Sequence, residues 1–226
     1  MAIVEVGMMG VQAGKTPMDP ATADGKILRQ AWESVIRASE GPKRVLWGTE
    51  FSDPSRIWGF FDWESIEQHE AFARSFGGEA TKRFGEVFTP GFTKHAHFST
   101  TSLSSPVTEI MLLFFPNDIS NSTRNAVSTQ YQRFRDNALE HCVDMKGVSG
   151  GWGLENDFPL HHLSGGGELN KGCLFFAMIG WVSVDAATAF CETKEYEEHV
   201  HSLRQMKACV GMDKMMLKCE LLERAA

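Results

Sequence analysis

The sequence predicts an α+β chain built from two tandem ferredoxin-like β-α-β-β-α-β repeats, and a duplicated motif is the main support for this prediction. A Trp-Gly-x-Glu step occurs at residues 47–50 and again at residues 152–155. Each copy is followed by an apolar strand that ends in Trp-x-Ser, with Trp63 in the first copy and Trp181 in the second. An Ala-Phe pair closes both copies at the same distance from that tryptophan. The chain is therefore expected to divide near its middle.

In the first half, hydrophobic periodicity and turn signals predict the elements of one complete repeat. Apolar runs indicate strands, and Gly41-Pro42 and Gly77-Gly78 are expected to stop helices. The predicted elements are strand Ile3–Val11, helix Thr22–Ser39, strands Arg44–Phe51 and Arg56–Trp63, helices Ser65–Ser75 and Glu79–Val87, and strand Phe92–Thr100.

The second half repeats this series after a Ser-rich linker at Thr101–Pro106. We therefore expect residues 1–103 and 104–226 to form the first and second repeats. A polar, Gly-rich insertion at Leu160–Glu168 is predicted to be a surface loop or a lid. The predicted elements are strand Thr108–Phe115, helix Ser122–Met145, strands Gly147–Glu155 and Cys173–Val182, a broken helix over Asp185–Thr193 and Lys194–Ala208, and strand Met212–Leu222.

Composition and charge exclude several classes of function. The formal net charge is -7 and the basic residues are scattered, whereas a nucleic-acid surface needs a basic patch. The longest nearly apolar run, Cys173–Val182, is about half of what a membrane-spanning helix requires, and no signal peptide is visible. Five cysteines without a Cys-x-x-Cys pair predict neither a disulfide framework nor a zinc site. We expect a cytoplasmic protein, monomeric or homodimeric, whose partner is a small molecule and which binds neither nucleic acid nor membrane.

Through its Trp-Gly-x-Glu and Trp-x-Ser motifs, the chain resembles the dimeric α/β-barrel superfamily. It is most similar to antibiotic-biosynthesis-monooxygenase-like proteins of fungal type, and also to stress-responsive barrels that include olivetolic acid cyclase. The resemblance implies an intramolecular barrel-type fold with a cavity. The superfamily includes cofactor-free monooxygenases, cyclases, isomerases, lyases and haem enzymes, so the fold leaves the reaction open.

The resemblance also implies a catalytic histidine in the second repeat. Cyclase-type members place a histidine in the second helix, in a segment similar to Glu198-His199-Val200, whereas the first repeat has Gly77–Ala80 there. On a helical wheel that begins at Tyr196, His199 falls at about 300°, inside the apolar stripe. We therefore predict that His199 points inward and acts as a general acid or base. A core histidine bonded to a backbone carbonyl is the structural alternative.

A second candidate is the pair His95 and His97. Both lie on the predicted last strand of the first repeat, where residues two apart share a face. They are predicted to contact substrate or to move protons. A His-x-His pair also suits a metal, but the sequence offers no third ligand, so no metal site is predicted. His69 and His141 are interpreted as structural, and His161-His162 as part of a solvated loop.

The remaining site predictions concern the cavity wall. Large apolar pockets with few polar groups are typical of small-molecule sites. Glu50 ends a strand, where a carboxylate is either a base or a structural hydrogen-bond partner. The residues predicted to bind substrate are Trp47, Trp58, Phe60, Trp152, Phe176, Tyr196 and Glu50.

These observations favour a cofactor-independent enzyme of secondary metabolism. It is predicted to act on an apolar polyketide-like, aromatic or terpenoid molecule by cyclase, isomerase or lyase chemistry. The alternatives are a cofactor-free or haem-dependent monooxygenase, with His199 as the axial ligand, and a non-catalytic small-molecule-binding or stress-response barrel.

Overall fold

A computed structural model describes residues 3–140, 142–159 and 171–224 of the chain. His141 and the predicted loop at Leu160–Glu168 lie outside these residues. The strands are β1 Ile3–Val11, β2 Arg44–Thr49, β3 Arg56–Trp63, β4 Phe88–Ala96, β5 Val107–Phe115, β6 Met145–Trp152, β7 Phe158–Pro159, β8 Lys171–Trp181, β9 Gly211–Leu217 and β10 Glu220–Glu223. The α-helices are α1 Ala23–Arg37, α2 Ile66–Phe72, α3 Gly78–Ala80, α4 Asn121–Phe134, α5 Val184–Cys191 and α6 Lys194–Arg204.

The chain divides into two compact units. The first unit contains Met1–Ala96 together with Leu217–Ala226, and the second contains His97–Met216. The division near the middle agrees with the duplicated motif. Both units have the β-α-β-β-α-β order with antiparallel strands, so the predicted fold class is confirmed.

The sheet of the first unit has the strand order β10-β2-β3-β1-β4. Helix α1 begins at Thr22, whose hydroxyl accepts a hydrogen bond from the Gly25 N–H at 3.0 Å. Its apolar side chains pack on one face of the sheet. That core includes Ile27, Leu28, Ala31, Trp32, Val35 and Ile36 from the helix, and Val45, Trp47, Ile57, Phe61 and Trp63 from the strands.

The second helical segment of this unit differs from the prediction. Gly77 and Gly78 do not interrupt it, because a π turn at Ala73–Gly77 joins α2 directly to α3. A 3-10 turn at Phe84–Glu86 then leads into β4. This strand, Phe88–Ala96, begins and ends four residues earlier than the predicted strand Phe92–Thr100. Because β4 ends at Ala96, His97 is not part of the strand.

The C-terminal strand is a second correction. The predicted strand Met212–Leu222 is two strands, β9 and β10, and β10 pairs with β2 of the first unit, with Glu220 opposite Trp47. The second repeat therefore does not extend to residue 226. Gly48 permits this pairing, since a Cβ there would lie 2.4 Å from the Lys218 carbonyl oxygen. This close approach explains the glycine of the first Trp-Gly-x-Glu step.

The sheet of the second unit has the strand order β6-β8-β5-β9, and the short β7 pairs with β8. Helix α4 ends sooner than predicted and continues as a π turn over Arg135–Leu139. The core side chains of the second unit are more completely buried than those of the first unit. Phe115, Phe134, Ile179 and Trp181 are fully enclosed. No helix in the described parts of the chain has the length and apolar character needed to cross a membrane.

Candidate functional site

A cavity of about 470 Å³ lies within the first unit, between its sheet and its helices. The walls are mostly aromatic and apolar, which is the usual character of a small-molecule site. Its floor comes from β1 and β3, and its roof from α1 and the α2–α3 segment. The large side chains in its wall are Trp32, Phe61, Trp63, Phe72, Phe84 and Phe92.

Among the described residues, Glu5 and His69 are the two titratable side chains in the cavity wall. The Glu5 carboxylate oxygen Oε2 lies 3.2 Å from His69 Nε2, and the two side chains are only 14% and 13% exposed. The same oxygen accepts a hydrogen bond from the Trp63 indole N–H at 2.8 Å. Within the described residues, both of these contacts are made to Oε2 and neither to Oε1, and Glu5 lines the cavity.

His95 extends this pair into a chain of three groups. His69 Nδ1 lies 2.7 Å from His95 Nε2, and their ring centroids are 4.9 Å apart. His95 is 8% exposed and stands opposite Glu5 in the pairing of β1 with β4. Because each neutral imidazole carries one donor and one acceptor nitrogen, a proton gained by Glu5 can be shared along His69 and His95.

Burial raises the pKa of Glu5 from its ordinary 4.5 to about 7. The hydrogen bond from Trp63 and the nearby charge of His95 act in the opposite direction but do not offset the loss of hydration. A carboxyl group with this pKa is partly protonated at neutral pH. Glu5 can therefore both accept and return a proton, which is the property required of a general acid–base group.

Local sequence places the three groups together. Glu5, on β1, faces the helices because it alternates with Val4 and Val6, which face the opposite side of the sheet. Two residues after Trp63, the Ser65 hydroxyl accepts a hydrogen bond from the Gln68 N–H at 3.2 Å and starts α2. One helical turn after this cap, His69 lies above Trp63, with ring centroids 5.0 Å apart.

The second unit contains the counterpart of this site in a filled form. Glu109 holds the position of Glu5 two residues into the first strand of its repeat, and it is fully buried. Its Oε1 accepts a hydrogen bond from the Tyr196 hydroxyl at 2.7 Å and lies 3.7 Å from Lys214 Nζ. His69 lies six residues after Trp63, and the residue six positions after Trp181 in the second unit is Ala187. The second unit thus keeps the carboxylate and lacks the histidine.

His199 and His97 are not brought to the cavity. The half-buried His199 packs against Phe134, with ring centroids 5.4 Å apart, in the core of the second unit. His97 is exposed and follows the end of β4, and its N–H donates to the Trp152 carbonyl at 3.0 Å. His95 is the predicted histidine that the structure joins to the site, through His69.

The residues predicted to bind substrate have other surroundings. Trp58 donates to Glu50 Oε1 at 2.9 Å, and its ring stacks with that of Phe60 at 6.4 Å. Both aromatic residues alternate with Gly59 and Phe61 and so lie on the sheet face opposite the cavity. The others lie in packed clusters: Trp47 in the core of the first unit, Trp152 against Phe175, Phe176 against Phe158, and Tyr196 on Glu109.

Sequence reasoning missed Glu5 and assigned His69 a structural role. A signal for Glu5 exists, since it is the one charged residue in the apolar strand Ile3–Val11, and Glu109 is its match in the second repeat. A carboxylate inside a buried strand needs a partner and is a frequent mark of function. The partner could not be read from the sequence, because His69 is distant along the chain.

Haem was the cofactor alternative implied by the family resemblance. In the cavity, both ring nitrogens of His69 are engaged, one with Glu5 and one with His95. His199 does not line the cavity. An axial haem ligand needs an available nitrogen that faces the haem pocket, so the residues of this cavity do not fit that role as packed.

Comparisons with known proteins identify the fold. An anthrone oxidase-like protein matches with a TM-score of 0.67 and 12% identity over 100% of this chain and 94% of that chain. A proposed monooxygenase from Lactobacillus acidophilus NCFM matches with a TM-score of 0.62 and 11% identity, over 99% and 96% of the two chains. A proposed chlorite dismutase matches with a TM-score of 0.52 and 12% identity, over 97% and 95%.

No protein-family model matches the sequence, and no curated protein matches it. Identities near 12% show the fold alone. The chain therefore has the dimeric α/β-barrel fold that its motifs resemble, and that fold is compatible with an enzyme or a binder of small molecules.

Proposed function

We propose that the cavity of the first unit is the active site of an enzyme that removes a proton from an apolar small molecule. The observation that carries the proposal is the Glu5 carboxylate, which lies 3.2 Å from His69 in a mostly apolar cavity and whose pKa burial raises to about 7. Glu5 Oε1 would take the proton, and the Glu5–His69–His95 chain would hold it and return it at another atom of the product. Positioned proton transfer of this kind contributes about 10²–10⁴-fold to a rate.

Removal of a proton next to a carbonyl, or from a phenol, yields an enolate or a phenolate. Return of the proton at a different atom is an isomerisation, and attack of the carbanion within the same molecule is a cyclisation. Neither reaction requires a cofactor. The aromatic walls suit an apolar polyketide-like, aromatic or terpenoid substrate, because such molecules bury large apolar surfaces.

The test is exchange of the α-protons of 2-tetralone in deuterium oxide, followed by NMR. The parent protein should accelerate exchange, and Glu5→Gln and His69→Ala should each slow it by about 10²-fold or more. Glu109→Gln is the matched control, because it alters the equivalent buried carboxylate without touching the cavity. His199→Ala should also leave exchange unchanged. Full exchange activity in Glu5→Gln would end the proposal.

A monooxygenase is the second candidate. It is supported by the names of structural neighbours, one an anthrone oxidase-like protein and another a proposed monooxygenase. Here the same carbanion would react with O2 as the oxidant: its carbon forms a C–O bond, and the resulting hydroperoxide loses water to leave a ketone. Oxygen uptake with anthrone as the probe separates the two candidates: uptake that requires Glu5 favours oxygenation, and exchange without uptake favours isomerase or cyclase chemistry. Tight binding of 2-naphthol with neither activity would identify a non-catalytic binder.

A further inference from the structure

The floor of the cavity contains two glycines that stand directly opposite each other. Gly7 on β1 pairs with Gly59 on β3, and both line the cavity. Gly7 lies two residues from Glu5 on the same strand, and Gly59 lies two residues from Phe61, so both face the helices. At this point the sheet presents bare backbone to the cavity, about 7 Å along the strand from the Glu5 position.

The fold does not require a glycine at position 7. A Cβ added to Gly7 would lie 3.7 Å from the Phe92 carbonyl oxygen and 3.9 Å from the Thr93 hydroxyl, both ordinary contact distances. Within the described residues, its backbone does not have the positive φ that favours glycine. The missing side chain therefore adds space to the cavity and relieves no strain in the strand.

The second unit shows the result of placing side chains at the same two positions. Gly7 lies two residues after Glu5, and Met111 lies two residues after Glu109. Gly59 lies four residues before Trp63, and Ala177 lies four residues before Trp181. Met111 and Ala177 are therefore the equivalents of the two glycines, and they also pair directly across the sheet. Both are fully buried in the core of that unit. At these two positions the open site has glycines, and the filled site has a methionine and an alanine.

We infer that Gly7 and Gly59 are specificity-determining residues that set the largest ring system able to reach Glu5. This inference rests on the proposed function, because it assumes that Glu5 is the reacting group. A flat fused-ring molecule can lie on the glycine backbone with its acidic hydroxyl or carbonyl beside the carboxylate. A single-ring molecule can reach Glu5 without covering the glycine floor.

The test uses the full chain and three fluorescent or absorbing probes of increasing size: phenol, 2-naphthol and 9-phenanthrol. In Gly7→Ala, the dissociation constant for 9-phenanthrol should rise about tenfold or more, as expected when one methyl group overfills a packed site. The constant for phenol should change by less than about twofold. Gly78→Ala is the matched control, because it adds a methyl group where nothing lies within 4 Å and outside the cavity wall.

Gly59→Ala is a second variant from the neighbouring strand. Its Cβ would meet the Phe61 ring at 3.0 Å, so the ring must shift, and the same loss of the largest probe is expected. Equal effects on all three probes, or none in either variant, would overturn the inference even if Glu5→Gln abolishes proton exchange. If the parent protein bound none of the probes and exchanged no proton, the proposed function would fail and the inference with it.

Discussion

Replacement of Glu5 by glutamine should change how the stability of the protein depends on pH. The pKa of Glu5 is about 7 in the folded chain, compared with an ordinary value of 4.5. The folded state therefore holds this proton more tightly than the unfolded state. The stabilisation that comes from protonated Glu5 is complete below about pH 4.5 and is lost as the pH rises through about 7. A glutamine side chain stays neutral, so its contribution to the stability of the fold does not change over this pH interval.

The size of the effect follows from the two pKa values. Each unit of difference corresponds to about 1.4 kcal/mol, so the ionised carboxylate destabilises the fold by about 3 kcal/mol at high pH. Between about pH 5 and pH 8, the gap in unfolding free energy between Glu5→Gln and the parent should change by about 2.5 kcal/mol in favour of the variant. At any single pH, loss of the His69 contact adds an offset, but the slope reports the titration.

The assay is urea unfolding of parent and variant at several pH values over this interval, with the free energy extrapolated to water. Glu64→Gln is the control, because this carboxyl side chain is 67% exposed; the gap between it and the parent should stay flat. Parallel curves for Glu5→Gln and the parent would refute the reasoning. They would mean that Glu5 titrates alike in both states, and that water enters the site in a way that removes the desolvation.

Two further variants test the hydrogen bonds of the two carboxylates. Trp63→Phe removes the hydrogen-bond donor that lowers the pKa of Glu5, so the pH at which proton exchange rises should increase by up to about one unit. Trp181→Phe is the control, because the Trp181 indole N–H has no partner among the described residues. This variant should leave that pH unchanged. Tyr196→Phe leaves buried Glu109 without its closest donor and should lower the unfolding free energy by about 1–3 kcal/mol. Tyr131→Phe, which loses hydrogen bonds to carbonyl groups only, should cost less, and an equal loss would contradict the role given to Tyr196.

The fold could be predicted from the sequence because its evidence is local and occurs twice. The Trp-x-Ser ends of two apolar strands mark the same point in both repeats, and the serine in each case starts a helix as an N-cap. The alternation of apolar residues then fixes which face of each strand is buried. The C-terminal pairing of β10 with β2 was missed because pairing between distant strands leaves no periodic signal in either one.

The site could not be placed from the sequence for a different reason. A helical wheel shows that His199 faces its own apolar stripe, but it does not show whether that stripe packs solidly or lines a space. In the structure, His199 is half-buried and its imidazole ring packs against Phe134. Whether a cavity forms depends on the summed volumes of side chains from several strands and helices. Gly7 and Gly59 indicate a cavity only once the structure shows that they face each other across two paired strands.

Glu5 and Glu109 hold equivalent positions in the two repeats, but their surroundings differ. Glu109 is enclosed, and it accepts a hydrogen bond from the Tyr196 hydroxyl and lies beside the Lys214 ammonium. Glu5 has its partners, Trp63 and His69, on one oxygen, and the residue lines the cavity. A buried carboxylate with all of its partners inside the protein contributes to structure, whereas one with an unfilled position has a reason to bind and react. Under the proposed function, the cavity beside the carboxylate, more than the carboxylate itself, therefore distinguishes the first unit from the second.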